Sequence, residues 1–266
     1  MPLRSTLIFF LTLAFGQTKD LKDIEFARPQ GIALTLDALL PDSPTPRGAV
    51  ILVHGGGWEA GDKRTYIRPW FDTLTQARIP WFTINYRLGP RSTHPAAVED
   101  IEAAFRWVQR NAKSLNIDPK RLVLMGESAG GHLVALAALR GKIHPAGLIS
   151  FYGIHDIPQW VQERGELPKN IAAYLADHSP QGLLNASPVS YIKPNQPPML
   201  LVHGTADNGV PFAQSQRLCK ASQAKGAACD ILLIEGAPHG VENWESNPAF
   251  HTWKPKLLTW LSPLIP

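Results

Sequence analysis

Six short apolar runs are spread along the chain, and each is only four or five residues long. They occupy 49–53, 81–84, 122–125, 148–151, 199–202 and 231–234. Runs of this length are typical of strands that are buried on both faces of a parallel sheet. Segments compatible with helices lie between most of the runs. This alternation predicts an α/β fold with a doubly wound, mostly parallel sheet.

The clearest helical segment is 95–111, between the second and third apolar runs. Pro95 suits the first turn of a helix, where its missing N–H has no intrahelical partner to lose. The apolar residues of the segment recur at helical spacing and form a stripe on one face: Val98, Ile101, Phe105 and Val108. We therefore expect an amphipathic helix that packs on the sheet.

Two β-compatible segments, 22–28 and 31–40, precede the first apolar run. From Ile32 to Leu36, apolar residues alternate with small or polar ones, which is the pattern of a half-buried strand. We expect these two strands to form an antiparallel edge at the N-terminal end of the sheet.

The interval 153–197 interrupts the alternation of strands and helices. Its length of about 45 residues exceeds that of most structureless loops in compact domains. Short helices are predicted at 157–161 and 171–175. We interpret the interval as a small cap insertion within one domain that extends from residue 17 to residue 266.

Composition and charge exclude several functional classes. The chain has 266 residues, of which 44% are hydrophobic, and its formal net charge is +4. Lys and Arg are scattered, with no run longer than two, so neither nucleic acid nor an anionic membrane is an expected partner. We find no spacing of metal ligands, and we expect neither a metal nor an organic cofactor.

The first residues have the pattern of an export signal. Arg4 supplies a positive charge, 7–15 is apolar, and Ala14 and Gly16 occupy the −3 and −1 positions of a cleavage site. Nine apolar residues are too few to span a bilayer, which takes roughly 20. We predict a signal peptide at 1–16 and a secreted or periplasmic protein without a membrane anchor. A buried first helix or strand is the alternative.

The two cysteines of the chain, Cys219 and Cys229, lie close together in sequence. Cys219 is expected on a helix and Cys229 at the start of the next strand. In an exported protein the compartment is oxidising, so we predict a stabilising disulfide bond between them. Two free, buried thiols are the alternative.

The sequence GESAGG surrounds Ser128 with glycines, including Gly126 and Gly130. It directly follows the strand 121–125 and precedes the apolar helix 132–139. A G-x-S-x-G sequence in a strand-to-helix turn predicts a nucleophile elbow, in which the serine is exposed above the carboxyl edge of the sheet. A plain glycine-rich turn is the alternative.

A nucleophilic serine needs a histidine to accept its proton and an acid to orient that histidine. Asp207 follows the fifth apolar run and His239 follows the sixth, so both are expected at the same sheet edge as Ser128. Glu235 is the alternative acid. His203, at the end of a strand, is expected to be a structural hydrogen-bonding residue.

The sequence HGGGW, 54–58, directly follows the first apolar run. Acyl transfer places negative charge on a carbonyl oxygen, which backbone N–H groups stabilise. Because glycines allow a close approach, Gly56 and Gly57 are the expected donors of this loop, and Ala129 supplies a third.

Four aromatic residues are candidates for an apolar or sugar-stacking surface. They are Trp58, Tyr86, Trp160 and Trp244. Burial in the core is the alternative for each of them.

Together, these motifs resemble those of the α/β-hydrolase esterases, over about 32–266. The resemblance is carried by HGGGW, YRLGPRSTHPAAVEDIEAAFRWV, GESAGG, HGTADNGVP and PHG. The most similar groups are the hormone-sensitive-lipase-like enzymes and the bacterial esterases related to feruloyl and acetyl-xylan esterases. The resemblance implies an α/β-hydrolase fold, a Ser128–Asp207–His239 triad and no cofactor. This sequence differs from those enzymes in one respect, because no large N-terminal helical cap is visible in it. That difference disfavours a lipase with a deep acyl tunnel.

The expected function is that of a serine carboxylesterase acting on short-chain, aryl or sugar esters, either small molecules or esters linked to polysaccharide. Two alternatives remain open at this point. The same residues permit cleavage of peptide or formamide bonds, and the scaffold also permits a non-catalytic binding protein. The second alternative predicts a broken triad or a blocked oxyanion loop.

Overall fold

A computed structural model describes residues 18–266, so the predicted signal peptide at 1–16 lies outside the described residues. Within that range the strands are β1 Lys19–Ala27, β2 Leu34–Leu40, β3 Arg47–Val53, β4 Trp81–Ile84, β5 Ile117–Glu127, β6 Gly147–Phe151, β7 Met199–Gly204 and β8 Cys229–Ile234. The helices are α1 Arg68–Gln76, α2 Ala96–Leu115, α3 Ala129–Leu139, α4 Ile157–Arg164, α5 Lys169–Tyr174, α6 Pro180–Asn185, α7 Ala213–Gln223 and α8 Trp253–Leu261.

The strands form one eight-stranded sheet in the order β1-β2-β4-β3-β5-β6-β7-β8. β1 pairs antiparallel with β2, and β2 pairs antiparallel with β4. All other pairs, from β4 and β3 to β7 and β8, are parallel. The predicted α/β class, the mostly parallel sheet and the antiparallel edge are therefore confirmed.

Several element boundaries differ from the predictions, and two of the differences have a clear local cause. β2 begins at Leu34 rather than at residue 31, because Pro29–Gly31 form a 3₁₀ turn in which Gln30 has a φ of 51°. α2 continues beyond the predicted residue 111 and ends before Asn116, which adopts a left-handed conformation with a φ of 56°. Asn tolerates this conformation better than most residues and so ends helices.

Both faces of the sheet are covered, as the apolar runs predict. In β3, Ala49, Ile51 and Val53 pack in the core on one face, whereas Val50 and Leu52 pack in the core on the other. Successive side chains of a strand point to opposite faces, so a strand between two cores is apolar throughout. Helices α2, α3 and α7 cover the first face, and α1 and α8 cover the second.

The interval between β6 and β7 contains the three short helices α4, α5 and α6. Two of them lie where the sequence predicts helices, and α6 is additional. Asp156 caps α4 by accepting a hydrogen bond from the N–H of Gln159. Trp160 of α4 and Tyr174 of α5 are buried, so the interval packs on the body of the domain.

Cys219 of α7 and Cys229 of β8 lie next to each other, with their Cα atoms 5.4 Å apart. α7 follows the loop that contains Asp207, and β8 leads into the loop that contains His239. Among residues 18–266, no helix has both the length and the apolar content needed to cross a membrane.

Candidate active site

Ser128 lies in the tight turn between β5 and α3. Its backbone has a φ of 52° and a ψ of −119°, a conformation that is strained for a residue with a side chain. The turn is held by a hydrogen bond of 2.9 Å from the N–H of Ser128 to the carbonyl oxygen of Phe151 in β6. Its neighbours in β5 and α3 are buried, whereas Ser128 is half-buried and reaches the sheet edge.

The glycines around Ser128 are required by packing. A β-carbon on Gly126 would lie 2.3 Å from the carbonyl oxygen of Gly130. A β-carbon on Gly130 would lie 2.3 Å from the carbonyl oxygen of Val53 and 2.4 Å from that of His54. These carbonyl oxygens are backbone atoms, which cannot move away by a change of rotamer as side-chain atoms can. The glycines therefore permit a close crossing of the turn with β3.

Ser128, His239 and Asp207 form a continuous hydrogen-bond chain. His239 Nε2 lies 3.0 Å from Ser128 Oγ, and His239 Nδ1 lies 2.7 Å from Asp207 Oδ2. Because the carboxylate only accepts, Nδ1–H donates to it and Nε2 is left to accept from the serine hydroxyl. The alternative acid, Glu235, is exposed, while His239 Nδ1 is already bonded to Asp207. This arrangement can transfer the proton of Ser128 to His239.

The Asp207 carboxylate is fixed by its own loop. Its side chain is 1% exposed, and Oδ1 accepts hydrogen bonds of 2.8 Å from the N–H groups of Gly209 and Val210. His203 supports this loop, because its Nε2 donates to the carbonyl oxygen of Val210 at 2.9 Å and its Nδ1 bonds to Ser215 Oγ at 2.9 Å. Burial lowers the pKa of His203, so it remains neutral in this role.

The charges around His239 favour its protonated form. Burial lowers the pKa of His239, but the hydrogen bond and charge of Asp207 raise it, with smaller contributions from Glu127 and Glu242. The net result is a pKa above the ordinary histidine value. Burial raises the pKa of Asp207, and the hydrogen bond and charge of His239 more than offset this, so that pKa is lowered. The pair is therefore suited to hold an imidazolium beside a carboxylate.

Sequence reasoning missed Glu127, the residue before Ser128. It is buried, and its Oε1 accepts a hydrogen bond of 2.6 Å from the N–H of Gly55. Burial and the nearby charge of Glu242 raise the pKa of Glu127 to about 7. An acidic residue close behind the apolar run 122–125 was the available signal. Glu127 links the serine turn directly to the loop after β3.

The loop after β3, residues 54–58, is held from both sides. Tyr86 Oη donates to the carbonyl oxygens of His54 and Gly55, each at 3.1 Å, and Glu127 holds the N–H of Gly55. Gly56 and Gly57 adopt positive φ angles of 97° and 63°. Among residues 18–266, no protein acceptor bonds to the N–H groups of these two glycines or of Ala129.

The four aromatic candidates belong to the core. Their side chains are between 0% and 5% exposed: Trp58, Tyr86, Trp160 and Trp244. Trp58 stacks on Tyr174 with ring centroids 5.0 Å apart, and Trp244 donates to the carbonyl oxygen of Pro238. The structure thus does not place them on a substrate surface, and the core alternative describes them. Sequence pattern alone does not separate these two environments.

Comparisons with known proteins agree with this geometry. A family model described as BD-FAE matches residues 36–221, which is more than half of the chain. Esterase LipQ of Mycobacterium tuberculosis is 30% identical over 207 residues, which are 71% of this chain and 49% of LipQ. The chain therefore spans about half the length of this relative.

Two solved structures are similar along nearly the whole chain. The acetyl ester-xyloside bifunctional hydrolase from Caldicellulosiruptor lactoaceticus has a TM-score of 0.80 at 22% identity, with 95% of this chain and 98% of that chain covered. The apo form of Thermogutta terrifontis esterase 2 has a TM-score of 0.77 at 25% identity, with 97% and 98% covered. The predicted α/β-hydrolase fold is confirmed.

We expect the pKa of His239 to fall when Glu242 loses its charge. A neighbouring carboxylate stabilises the imidazolium, so Glu242→Gln lowers the pKa, and Asp207→Asn, which removes the stronger partner, lowers it further. The measurement is the pH titration of the His239 ring signals by NMR. Glu245→Gln is the control, because Glu245 is exposed and pairs with Lys254. An unchanged pKa in Glu242→Gln contradicts the assigned charge contribution.

Proposed function

This chain belongs to the BD-FAE family, and from that premise we propose that it is a serine carboxylesterase acting through an acyl-enzyme intermediate. The observation that carries the proposal is the unbroken hydrogen-bond chain from Ser128 through His239 to Asp207. Its position beside three backbone N–H groups that have no acceptor within residues 18–266 supports the same conclusion. Both features are needed for acyl transfer, and they meet at one edge of the sheet.

In the first step Ser128 Oγ attacks the ester carbonyl carbon while His239 Nε2 accepts the hydroxyl proton. The tetrahedral intermediate collapses when His239 returns that proton to the alcohol oxygen, which leaves. A water molecule then gives a proton to His239 and attacks the acyl-enzyme, and the acid departs as Ser128 recovers its proton. Asp207 stabilises the imidazolium in both halves of the reaction.

The N–H groups of Gly56, Gly57 and Ala129 are the proposed oxyanion donors. Ala129 is the first residue of α3, where the positive end of the helix dipole adds to the stabilisation. Loss of a single such donor typically lowers kcat by roughly 10²- to 10³-fold. Because Glu127 and Tyr86 fix the preceding residues, the donors are positioned before a substrate arrives.

Ester hydrolysis is favoured over the two alternatives. A non-catalytic binding protein does not require an aligned triad beside backbone N–H groups that have no acceptor within residues 18–266. This alternative is therefore the weaker one. Cleavage of peptide or formamide bonds uses the same residues. It is disfavoured because LipQ, which shares 30% identity over most of this chain, is an esterase.

We propose short acyl groups on an aryl or sugar alcohol as the substrate class, as a small molecule or linked to polysaccharide. The interval between β6 and β7 is the proposed cap, and its helices have only eight, six and six residues. A cap of this size offers little apolar surface to a long acyl chain. The hydrolase from Caldicellulosiruptor lactoaceticus is described as acting on acetyl esters and xylosides, but at 22% identity it supports the fold alone.

Replacement of Ser128 by Ala tests the proposed function. We expect hydrolysis of p-nitrophenyl acetate to fall by about four orders of magnitude or more, because the nucleophile is lost. Ser190→Ala, at an exposed serine, is the control and should leave the rate unchanged. Equal activity of the Ser128→Ala variant and the unaltered protein contradicts the proposal. Faster turnover of the p-nitrophenyl octanoate ester than of the acetate contradicts the short-chain preference.

We further propose that the protein is exported after cleavage behind residue 16, and that Cys219 and Cys229 form a disulfide bond in the oxidising compartment. The intact mass of the protein recovered from outside the cytoplasm tests both ideas. We expect a chain that begins at residue 17 and lacks two hydrogen atoms relative to its reduced form. An uncleaved chain, or an unchanged mass after reduction, contradicts the corresponding proposal.

A further inference from the structure

Lys63, in the segment that joins the loop after β3 to α1, is a buried charged residue with no part in the proposed mechanism. Its side chain is only 5% exposed. The ammonium group donates to Asp23 Oδ1 of β1 and, at 3.0 Å, to Thr35 Oγ1 of β2, and it lies 3.5 Å from Asp37 Oδ1 of β2. Lysine is rarely buried to this extent unless it is paired. The side chain therefore ties this segment to the antiparallel edge of the sheet.

The main chain of Lys63 is held by a third strand. Its N–H donates to Asn85 Oδ1, directly after β4, at 2.8 Å. Its carbonyl oxygen accepts a hydrogen bond from the hydroxyl group of Thr83 within β4. Side chain and main chain are thus fixed together, so the position of Lys63 relative to the sheet is determined at both.

The ion pair with Asp37 is buried on both sides. The Asp37 side chain is 2% exposed, and Arg64 donates to its other oxygen at 2.7 Å. A buried ion pair contributes little net stability, because the cost of removing both charges from water offsets their attraction. What such a pair can supply is a single arrangement of the chain, since removing either partner leaves the other charge buried and unpaired.

The segment that Lys63 anchors begins with a turn that holds Gly56. The carbonyl oxygen of Gly56 accepts hydrogen bonds from the N–H of Ala60 at 3.0 Å and from the N–H of Glu59 at 3.2 Å. Because a peptide group is planar and trans, its carbonyl and its N–H point in opposite directions. The turn therefore sets the direction of the N–H of Gly57, which is one of the proposed oxyanion donors.

We propose that Lys63 is a positioning residue for this donor: by anchoring the turn at 59–62 it directs the N–H of Gly57 at the substrate oxygen on which negative charge develops. The inference rests on the proposed function and adds a residue to it. Lys63 acts through the backbone and does not contact the substrate. A displaced donor stabilises the transition state less while substrate binding is unaffected, so loss of the anchor lowers kcat and leaves KM unchanged.

The test compares hydrolysis of p-nitrophenyl acetate by the unaltered protein and by a Lys63→Met variant. Titration with a p-nitrophenyl phosphonate ester, which reacts once with each active serine, counts the active chains. We expect kcat per active chain to fall by about tenfold or more, since small displacements of catalytic groups are costly, and KM to change less than about twofold. Lys22→Met is the control and should change neither value, because Lys22 is an exposed lysine of the same edge that pairs with Asp20.

A second variant, Thr83→Val, removes the hydroxyl group that donates to the carbonyl oxygen of Lys63. We expect a smaller fall in kcat per active chain, again at unchanged KM. This variant decides by the same criteria if Lys63→Met does not fold.

Two results overturn the inference alone. One is an unchanged kcat per active chain with a smaller active fraction, which assigns Lys63 to folding. The other is a raised KM at unchanged kcat, which assigns it to substrate binding. If the unaltered protein does not hydrolyse p-nitrophenyl acetate, the proposed function fails, and the inference fails with it.

Discussion

The close crossing of the serine turn with the end of β3 determines where the chemistry takes place. A side chain at position 130 would collide with the carbonyl oxygens of Val53 and His54, so only glycine fits there. Because Val53 pairs in register with Gly126, the loop after β3 and the turn after β5 leave the sheet side by side. The backbone crossing therefore brings the proposed nucleophile and the proposed oxyanion donors together, and side-chain packing only maintains this arrangement. Glu127 does so by holding the N–H of Gly55.

Electrostatics then set the proton affinity of the site. Three carboxyl groups act on His239, and that of Asp207 contributes most, through a direct hydrogen bond. A raised pKa means that His239 loses its ability to act as a base as the pH falls through that raised value. The same carboxyl groups stabilise the imidazolium that each proton transfer forms. Burial keeps the interaction of His239 with Asp207 strong, since water screens it little at a carboxylate that is 1% exposed.

Much of the fold could be predicted from sequence because its signals are local. Strands between two cores are apolar throughout, and β4 was predicted with its observed bounds, Trp81–Ile84. The position of Ser128 in a strand-to-helix turn could be predicted because the glycine pattern, the strand before it and the helix after it are contiguous. The proximity of His239 and Asp207 to Ser128 could be predicted because parallel strands end at one edge of the sheet.

The rest depends on contacts between distant parts of the chain. Glu127 bonds to Gly55, which is 72 positions away. The acidic residue behind an apolar run is visible in the sequence, but its partner is not. The stacking of Tyr174 on Trp58 likewise joins α5 to the loop after β3 from far along the chain. The aromatic candidates failed for the same reason, since a Trp has the same local pattern in a core as at a substrate surface. The sequence thus predicts that Ser128, His239 and Asp207 lie together, but it does not predict which residues position them.

Ser128 is proposed to form the covalent intermediate with the help of His239 and Asp207. Mass spectrometry tests this role after the protein reacts with a p-nitrophenyl phosphonate ester, which transfers its phosphonyl group to an activated serine and releases p-nitrophenolate. We expect one phosphonyl group per chain, located on the peptide that contains Ser128, and much slower labelling in a His239→Ala variant. Labelling at another residue, or equally rapid labelling without His239, would contradict it.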